Sequence, residues 1–392
     1  MKKISLAILL FFAQLLQAFG QDDTAAYKPR KLKLDEVNFV SGYYSQDGNN
    51  SAVTGGIGTE QLTDFANTIE LHFVRTDKQQ RLHNINFELG IDHYSSASSD
   101  QIDPSTISSA SSADTRYYPS LGYSIKDEKK GYSAGIIGSF SKEYDYTSLG
   151  LGLNFSKNSK DNNREFAVKL QAYFDTWSVI LPIELRKNSG KEEHSEARNS
   201  YSASLSFAQV INQRLQLALL ADLIYQKGLL ATRYQRVYFA DGSLRAEELP
   251  DTRFKLPLGF RLHYFLGDRY ILRTFYRFYW DDWKIGAHTA DIELPIKLNP
   301  FISFSPFYRY YTQTAADYFA PFKTHHTQET YFTSDYDLSA FNSHFFGAGI
   351  RWAPEKGVFG IKKWAVAELR YGHYIRSTEL TADIISLSAK FK

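Results

Sequence analysis

Several features that define whole classes of protein are missing from this chain of 392 residues. It has no cysteine, which excludes a disulfide framework and thiolate metal sites. Beyond the N-terminus, no stretch approaches the roughly 18 uninterrupted apolar residues that a membrane-spanning helix needs. The formal net charge is only +2, so the composition gives no support for nucleic acid as a partner.

The N-terminus has the pattern of a secretory signal peptide. Two lysines precede the apolar run 4–16, and small residues stand within 18–20, where cleavage would occur. We therefore predict that residues 1–20 are a signal peptide. The mature chain would begin with a polar lead-in, residues 21–33, and would be exported from the cytoplasm.

Two stretches, 215–225 and 254–264, show the pattern that dominates the rest of the chain. Apolar residues occupy every second position in both, and the positions between them include Gln216, Asp222 and Arg261. This alternation is typical of strands with one apolar and one polar face. Strands in soluble proteins usually have about five or six residues, whereas a tilted strand needs about 9–11 to cross a bilayer.

The same unit recurs along the chain and predicts sixteen strands. They cover residues 34–45, 67–76, 82–94, 115–126, 131–142, 146–156, 164–175, 201–211, 214–226, 254–264, 269–279, 284–297, 301–312, 344–352, 364–374 and 381–391. The chain is 16% aromatic, which suits the aromatic girdles of a membrane barrel. We predict an all-β fold, a closed antiparallel transmembrane β-barrel of 14–16 strands over residues 34–392.

The connections favour a membrane barrel over a soluble β-sandwich. The long links all follow odd-numbered strands, at 46–66, 95–114, 176–200, 227–253 and 313–343. Most links after even-numbered strands are short, which predicts periplasmic turns on one side and extracellular loops on the other. We expect the outer membrane of a Gram-negative bacterium as the location, with contact to lipid and lipopolysaccharide. Phe391 near the end of the last strand resembles the signal read by the barrel-assembly machinery, although Lys392 follows it.

With the apolar face toward lipid, the polar positions line the lumen. The acidic candidates come early in the chain: Glu70, Glu88 and Asp92. The basic candidates come late: Arg261, Arg273, Arg277, Arg309, Arg351 and Arg370. One interpretation is a transverse field across a water-filled constriction that selects solutes by charge. The other is a packed interior in which arginine–carboxylate pairs brace the wall.

A glycine-rich segment, residues 44–60, is a candidate for narrowing the lumen, because irregular backbone at membrane depth is tolerated only inside a cavity. Its candidate constriction residues are Asp47, Thr54, Gly55, Gly56, Thr59 and Glu60. Asp47, Asn49 and Ser51 have the spacing of the first ligands of a calcium loop. The later glycine and glutamate are out of register, so no metal site is predicted there.

No catalytic residue, metal or cofactor is predicted elsewhere. The adjacent His325 and His326 would point in different directions, and nothing ties one serine to one histidine. The turn from Trp280 to Trp283 is interpreted as two tryptophans that anchor the barrel rim at the membrane interface.

The segments 44–48 and 54–60, together with 333–339, resemble a bacterial outer-membrane family known as domain of unknown function 3570, a Bacteroidota-type β-barrel. The resemblance spans the mature chain and implies no catalytic residues. Family members are often encoded beside a thioredoxin-like protein and an enzyme that attaches flavin to proteins, which implies a link to envelope redox systems.

The sequence therefore favours a porin-like channel or transporter for a small polar solute. The alternative is a non-conducting scaffold whose loops dock a partner, such as a surface lipoprotein or an envelope redox component.

Overall fold

The computed structural model describes residues 29–95, 109, 113–186 and 193–392. These residues form nineteen strands: β1 (Arg30–Asp47), β2 (Leu62–Thr76), β3 (Leu82–Tyr94), β4 (Asp114–Asp127), β5 (Tyr132–Lys142), β6 (Tyr146–Asn158), β7 (Arg164–Ile180), β8 (Glu193–Asn212), β9 (Leu215–Gly228), β10 (Arg236–Tyr238), β11 (Leu244–Ala246), β12 (Thr252–Leu266), β13 (Tyr270–Asp281), β14 (Gly286–Glu293), β15 (Ile296–Lys297), β16 (Ile302–Gln313), β17 (Phe341–Trp352), β18 (Trp364–Arg376) and β19 (Leu380–Phe391). The helical residues of the described part form 3₁₀ turns at Ala52–Thr54, Ile183–Leu185, Tyr336–Leu338 and Val358–Gly360. Within these ranges, no helix is long and apolar enough to cross a membrane.

The strands form the predicted closed antiparallel barrel. Seventeen of them make one sheet in which each strand pairs with its neighbours along the chain, and β1 pairs with β19 to close it. β14 and β15 are interrupted at Leu294 and Pro295, and both lie between β13 and β16, so they fill one position. Proline has no backbone N–H to give to a neighbour, which accounts for the break. The barrel therefore has sixteen strand positions.

The alternation places apolar side chains on the outside of the wall, as predicted. In β9, Leu219 and Leu223 are 49% and 44% exposed, although both are large and apolar. The intervening polar residue Asp222 lies on the opposite face of the strand. The same outward apolar face recurs on the other barrel strands, as at Leu149 and Leu258. Such a surface suits contact with hydrocarbon rather than water.

The strands extend further than the alternation predicted at the end that carries the long loops. β7 ends at Ile180 and β8 begins at Glu193, and these two residues pair with each other. Backbone pairing in this hairpin therefore continues beyond the residues whose side chains alternate. Outside the membrane, the outward side chains no longer have to be apolar, so the alternation in the sequence ends before the strands do. The predicted signal peptide and most of the predicted loop 95–114 lie outside the described residues.

The segregation of loops is present in the fold. Links 48–61, 229–251 and 314–340 lie at one end, with the shorter turns 143–145, 282–285 and 377–379 among them. The turns at the other end have two to five residues in most cases, and the longest is 353–363. We refer to these as the long-loop end and the short-turn end.

Of the two turn tryptophans interpreted as rim anchors, only Trp280 lies on the outer face, where it is 38% exposed. Trp283 is only 3% exposed and belongs to an apolar cluster inside the mouth of the barrel. Its indole N–H donates to the carbonyl of Thr252, 3.0 Å away, and the Arg253 guanidinium lies 4.2 Å from its ring centre. The turn folds inward because Trp283 has both an apolar pocket and a hydrogen-bond acceptor there.

We expect Trp283→Ala to lower the free energy of unfolding by about 3–5 kcal/mol, because it empties a packed pocket and exposes an unpaired carbonyl. The measurement is a urea titration in detergent micelles that follows the migration of folded and unfolded barrel on gels. The matched variant Trp280→Ala should cost about 1 kcal/mol or less. Equal losses in the two variants would contradict the packing role of Trp283.

Candidate functional site

The inner wall of the barrel carries the predicted arginines in local ion pairs. Arg273 lies 3.2 Å from Glu293, and Arg309 lies 3.0 Å from Asp291. Arg261 and Arg277 share this inward face, where the Arg261 guanidinium lies 5.5 Å from the ring centre of Phe275. Arg351 is opposite Glu368 in the register of β17 and β18. The predicted arginines thus form one basic stretch of wall, and its carboxylate partners lie on nearby strands.

Arg370 has the longest reach of this group. It starts on β18 and contacts Glu293 on β14 at 2.9 Å, as well as Glu368 at 3.3 Å. It crosses β17 at Gly349, where an added Cβ would lie 2.9 Å from the Arg370 side chain. The missing side chain on β17 therefore allows Arg370 to lie flat against the wall instead of projecting into the lumen.

The exposure of these side chains bears on the two predicted interiors. Arg309 is 49% exposed and Arg273 is 45% exposed, although both point into a closed barrel. In a lumen filled by packed side chains, such groups would be buried. The arginine–carboxylate pairs therefore line a space that water can occupy at this level.

The acidic candidates lie on the far side of the lumen. β2 and β3 hold positions 2 and 3 of the sixteen, whereas β12 and β13 hold positions 10 and 11, so the two pairs face each other. Glu70 accepts a hydrogen bond from Asn38 at 3.1 Å, and Asp92 accepts one from Tyr118 at 2.8 Å. Glu88 is opposite Glu70 in the register. Glu70 and Asp92 therefore accept hydrogen bonds from neutral side chains of their own part of the wall, whereas the arginines opposite lie in ion pairs.

The long-loop end is covered by three segments, 48–61, 229–251 and 314–340, which we call the loop cap. Its apolar core reaches into the mouth of the barrel. Cap and wall residues form one buried cluster there: Leu229, Ala231, Leu249 and Ala316 from the cap, and Trp177, Val179, Leu181, Trp283, Ile285 and Ala287 from the wall and its rim.

The glycine-rich segment holds a fixed place in this cap. Gly55 and Gly56 have φ values of +83° and +81°, which favour glycine. An added Cβ at Gly55 would lie 2.8 Å from the Tyr238 ring, and one at Gly56 would lie 2.7 Å from the carbonyl oxygen of Ser334. Both neighbours belong to other cap segments, so the glycines allow three loops to meet at one point.

The remaining candidates of this segment divide between the cap and its edge. Thr54 is buried, and its hydroxyl donates to the Ile57 carbonyl at 2.5 Å. Thr59 is half-buried next to Glu60. Asp47 ends β1 and is exposed, and Gln61 donates to it at 3.4 Å. The sequence grouped Asp47 with the glycines, but the structure places it outside the packed part of the cap.

Charged groups fasten the cap segments to each other and to the wall. Arg236 is buried, donates to the Val53 carbonyl at 2.7 Å, and forms an ion pair with Glu184. Arg376 at the top of β18 pairs with Asp337 at 2.5 Å.

A second buried polar contact lies between the cap segments 229–251 and 314–340. His325 is 1% exposed; its Nε2 lies 2.9 Å from the Thr333 carbonyl oxygen and its Nδ1 lies 2.5 Å from Glu329. The backbone N–H of His326 donates to the other oxygen of Glu329 at 2.9 Å, and these hydrogen bonds lower the pKa of the Glu329 carboxyl. The Thr333 hydroxyl donates to Glu247 at 2.5 Å. His326 is exposed, so the two histidines do diverge, and within the described ranges no cluster of three metal-ligating side chains occurs.

Three carboxyl groups in the cap have raised pKa values. Burial raises the pKa of Glu247 to about 8 and that of Glu60 to about 7. Burial, with the charge of Asp337 beside it, raises the pKa of Asp335 to about 6. One oxygen of Glu60 is buried and has no hydrogen-bond partner among the described residues. The packed cap therefore favours the neutral forms of these groups.

Sequence reasoning missed the part played by the segment 229–251. This segment contains the hairpin of β10 and β11, in which Val237 and Phe239 are fully buried. The signal was the Asp241–Gly242 pair, which is typical of a tight hairpin turn between two short strands.

Comparisons with known proteins give one family and several structures of low similarity. A BenF-like porin from Pseudomonas fluorescens Pf-5 is 9% identical with a TM-score of 0.42, and the match covers 91% of this chain and 98% of that one. OccK9 (OpdG) from Pseudomonas aeruginosa is 9% identical with a TM-score of 0.42, with 93% and 98% covered. A bacterial polysaccharide outer membrane secretin is 10% identical with a TM-score of 0.47, with 91% and 98% covered. At TM-scores below 0.5, these likenesses indicate no function for this chain.

No curated protein matches the sequence. A family model described as "Protein of unknown function (DUF3570)" matches residues 74–359, which is well over half of the chain. The chain belongs to the DUF3570 family.

Proposed function

We propose that this protein is an outer-membrane channel, not an enzyme, that passes a small polar solute. The observation that carries the proposal is the half-exposed arginine stretch inside a closed barrel whose outside is apolar. A wall of this kind supports a water-filled path through hydrocarbon. The short-turn end would face the periplasm and the loop cap would lie at the cell surface.

The glycine-rich segment would act as the constriction in this channel. Support comes from the cap core, which lies against inward-facing wall residues such as Trp177 and Ala287 and therefore occupies the mouth. Arg236 joins the segment 48–61 to the other two segments of the loop cap, and so does the close approach at Gly55 and Gly56. Movement of the cap would then control passage.

A non-conducting scaffold is the second candidate, and one observation favours it. The cap is interlocked by buried groups, including Phe239, His325 and Thr333, as a permanent cover would be. In this function the outer loops dock a surface lipoprotein, or an envelope redox component of the kind that the family resemblance implies.

Two measurements separate the candidates. Purified protein in planar lipid bilayers should show discrete conductance steps if it is a channel, and liposomes should swell in small polar solutes. No conductance from the wild type, together with none after removal of the constriction, would overturn the channel. A stoichiometric partner that co-purifies after mild detergent extraction would then support the scaffold.

Charge selectivity gives a further prediction. Arg309→Ser removes a half-exposed lumen cation and frees the Asp291 carboxylate, so we expect the ratio of potassium to chloride permeability to rise about twofold. The measurement is the reversal potential in a potassium chloride gradient. Lys129→Ser, at an exposed position of the turn 128–131, is the matched control and should leave the ratio unchanged. An unchanged ratio in both variants would place Arg309 outside the conducting path.

A further inference from the structure

A separate cavity of about 470 Å³ lies at the long-loop end, between the loop cap and the wall formed by β3 to β8. Val53 and Tyr234 line it from the cap, and Arg116, Trp177 and Arg198 line it from the wall. We call it the side cavity. Its volume lies within the range of small-molecule sites, about 300–1,000 Å³.

Aromatic rings make up much of its surface. Trp177 lies between Tyr146 and Tyr234, with ring centres 6.1 and 6.0 Å apart and interplanar angles of 77° and 83°. The guanidinium of Arg198 lies 5.1 Å from the Tyr146 ring centre and 5.5 Å from that of Trp177. The cation–π position of this cluster is therefore already filled by the protein itself, which disfavours a cationic ligand there.

Hydrogen-bond donors and acceptors are interleaved around these rings. Arg198 donates one bond to the Tyr146 hydroxyl at 2.7 Å, and Arg116 donates one to the Ser141 hydroxyl at 3.0 Å. A guanidinium has five N–H donors, so each arginine retains capacity for a ligand. The acceptors are three carboxylates: Asp114, which takes a bond from the Tyr144 N–H at 2.8 Å, Glu143, which takes one from Tyr94 at 2.8 Å, and Asp145, which takes one from the Trp177 indole at 3.3 Å.

This combination selects against ions of either sign. An anion would meet the carboxylates of Asp114, Glu143 and Asp145, and a cation would meet two guanidinium groups, of which that of Arg116 already lies 3.5 Å from Glu143. A hydroxyl group, by contrast, donates to a carboxylate and accepts from a guanidinium at the same time. A sugar ring adds an apolar C–H face, for which Tyr144 of the lining, 58% exposed, offers an aromatic ring.

We propose that the side cavity binds a neutral carbohydrate of one or two sugar rings. The role of the side cavity as an entry site rests on the proposed function, because it requires that the barrel passes a solute. Below the cavity, β4 to β6 carry small inward residues, including Gly150 and Gly152. A sugar released from the cavity would therefore meet a part of the wall with small side chains, on the side of the barrel opposite the arginine stretch.

The test is calorimetric titration of the full mature chain in detergent micelles with maltose and with glucose. We expect saturable binding of at least one of the two sugars, with a Kd about tenfold higher in Arg198→Gln, because an unpaired polar group in the site weakens binding by roughly that factor. Tyr234→Leu keeps an apolar side chain but removes the ring, and it should weaken binding several-fold.

Arg245→Gln is the matched control, since Arg245 lies on the cap outside the side cavity, and it should bind as the wild type does. Gel migration of the folded barrel verifies that each variant is intact. Absence of binding to both sugars, or binding of glycine or phosphate instead, would overturn the inference. Binding without conductance would keep the sugar site and reject the channel, whereas conductance without sugar binding would reject the site alone.

Discussion

Replacing residues 50–58 by a short glycine–serine linker should raise single-channel conductance roughly threefold or more, because it removes the proposed constriction and the contacts that join it to the other two cap segments. Val53 and Thr54 would leave their buried positions, and Arg236 would lose the carbonyl to which it donates. Planar-bilayer recordings of wild type and variant at the same salt concentration measure the effect.

A single substitution tests the contacts that hold the glycine-rich segment in the cap. Arg236→Gln breaks the contacts to Val53 and Glu184, which should weaken the closed cap by about 1.5–3 kcal/mol and lengthen open times. Arg233→Gln is the matched control, because Arg233 pairs with Glu248 inside the same segment and does not touch the glycine-rich one. If neither the linker variant nor Arg236→Gln changes conductance, the segment is no constriction.

Channel opening should also increase as pH rises from about 5 to about 8. The packed cap raises the pKa of Glu247 from its ordinary 4.5 to about 8 and that of Glu60 to about 7. An open cap would return both groups to water and to ordinary values. Protons therefore bind the closed form more tightly, so closure is strongest below about pH 4.5 and weakens as pH rises to about 8. One pKa unit corresponds to about 1.4 kcal/mol, or tenfold in the open-to-closed ratio.

Glu247→Gln isolates this effect, since glutamine stays neutral at every pH. The variant should lose much of the change in open probability between about pH 6 and pH 8, while Glu248→Gln should retain it because Glu248 is partly exposed. Recordings at a series of pH values give the comparison. A wild-type profile that is flat, or that opens toward acid, would show that the buried carboxyls do not control the cap.

The barrel itself could be predicted from the sequence because its cause is local. In β9 and β12, lipid on one side and water on the other impose alternation residue by residue, as at Leu219 and Asp222. The strand count followed, including the segment 284–297, whose interruption the structure places at Pro295.

The loop cap could not be predicted in the same way, because its contacts join distant segments. Nothing near Gly55 in the sequence reveals that Tyr238 lies against it, and nothing near Arg236 reveals Val53. Trp283 had the local features of an interface anchor, and only its long-range packing places it inside. Alternation determines which face a side chain takes but gives no information about which loops meet.

The pairing of the first strand with the last has a consequence for biogenesis. Ser41 on β1 lies opposite Leu387 on β19, so the two halves of this ladder are separated by almost the entire chain. Until the C-terminal strand arrives, both sheet edges expose unpaired backbone groups that hydrocarbon does not tolerate. Both edges must therefore be covered until β1 and β19 meet, and a chain truncated before β19 should fail to give a folded barrel in detergent micelles.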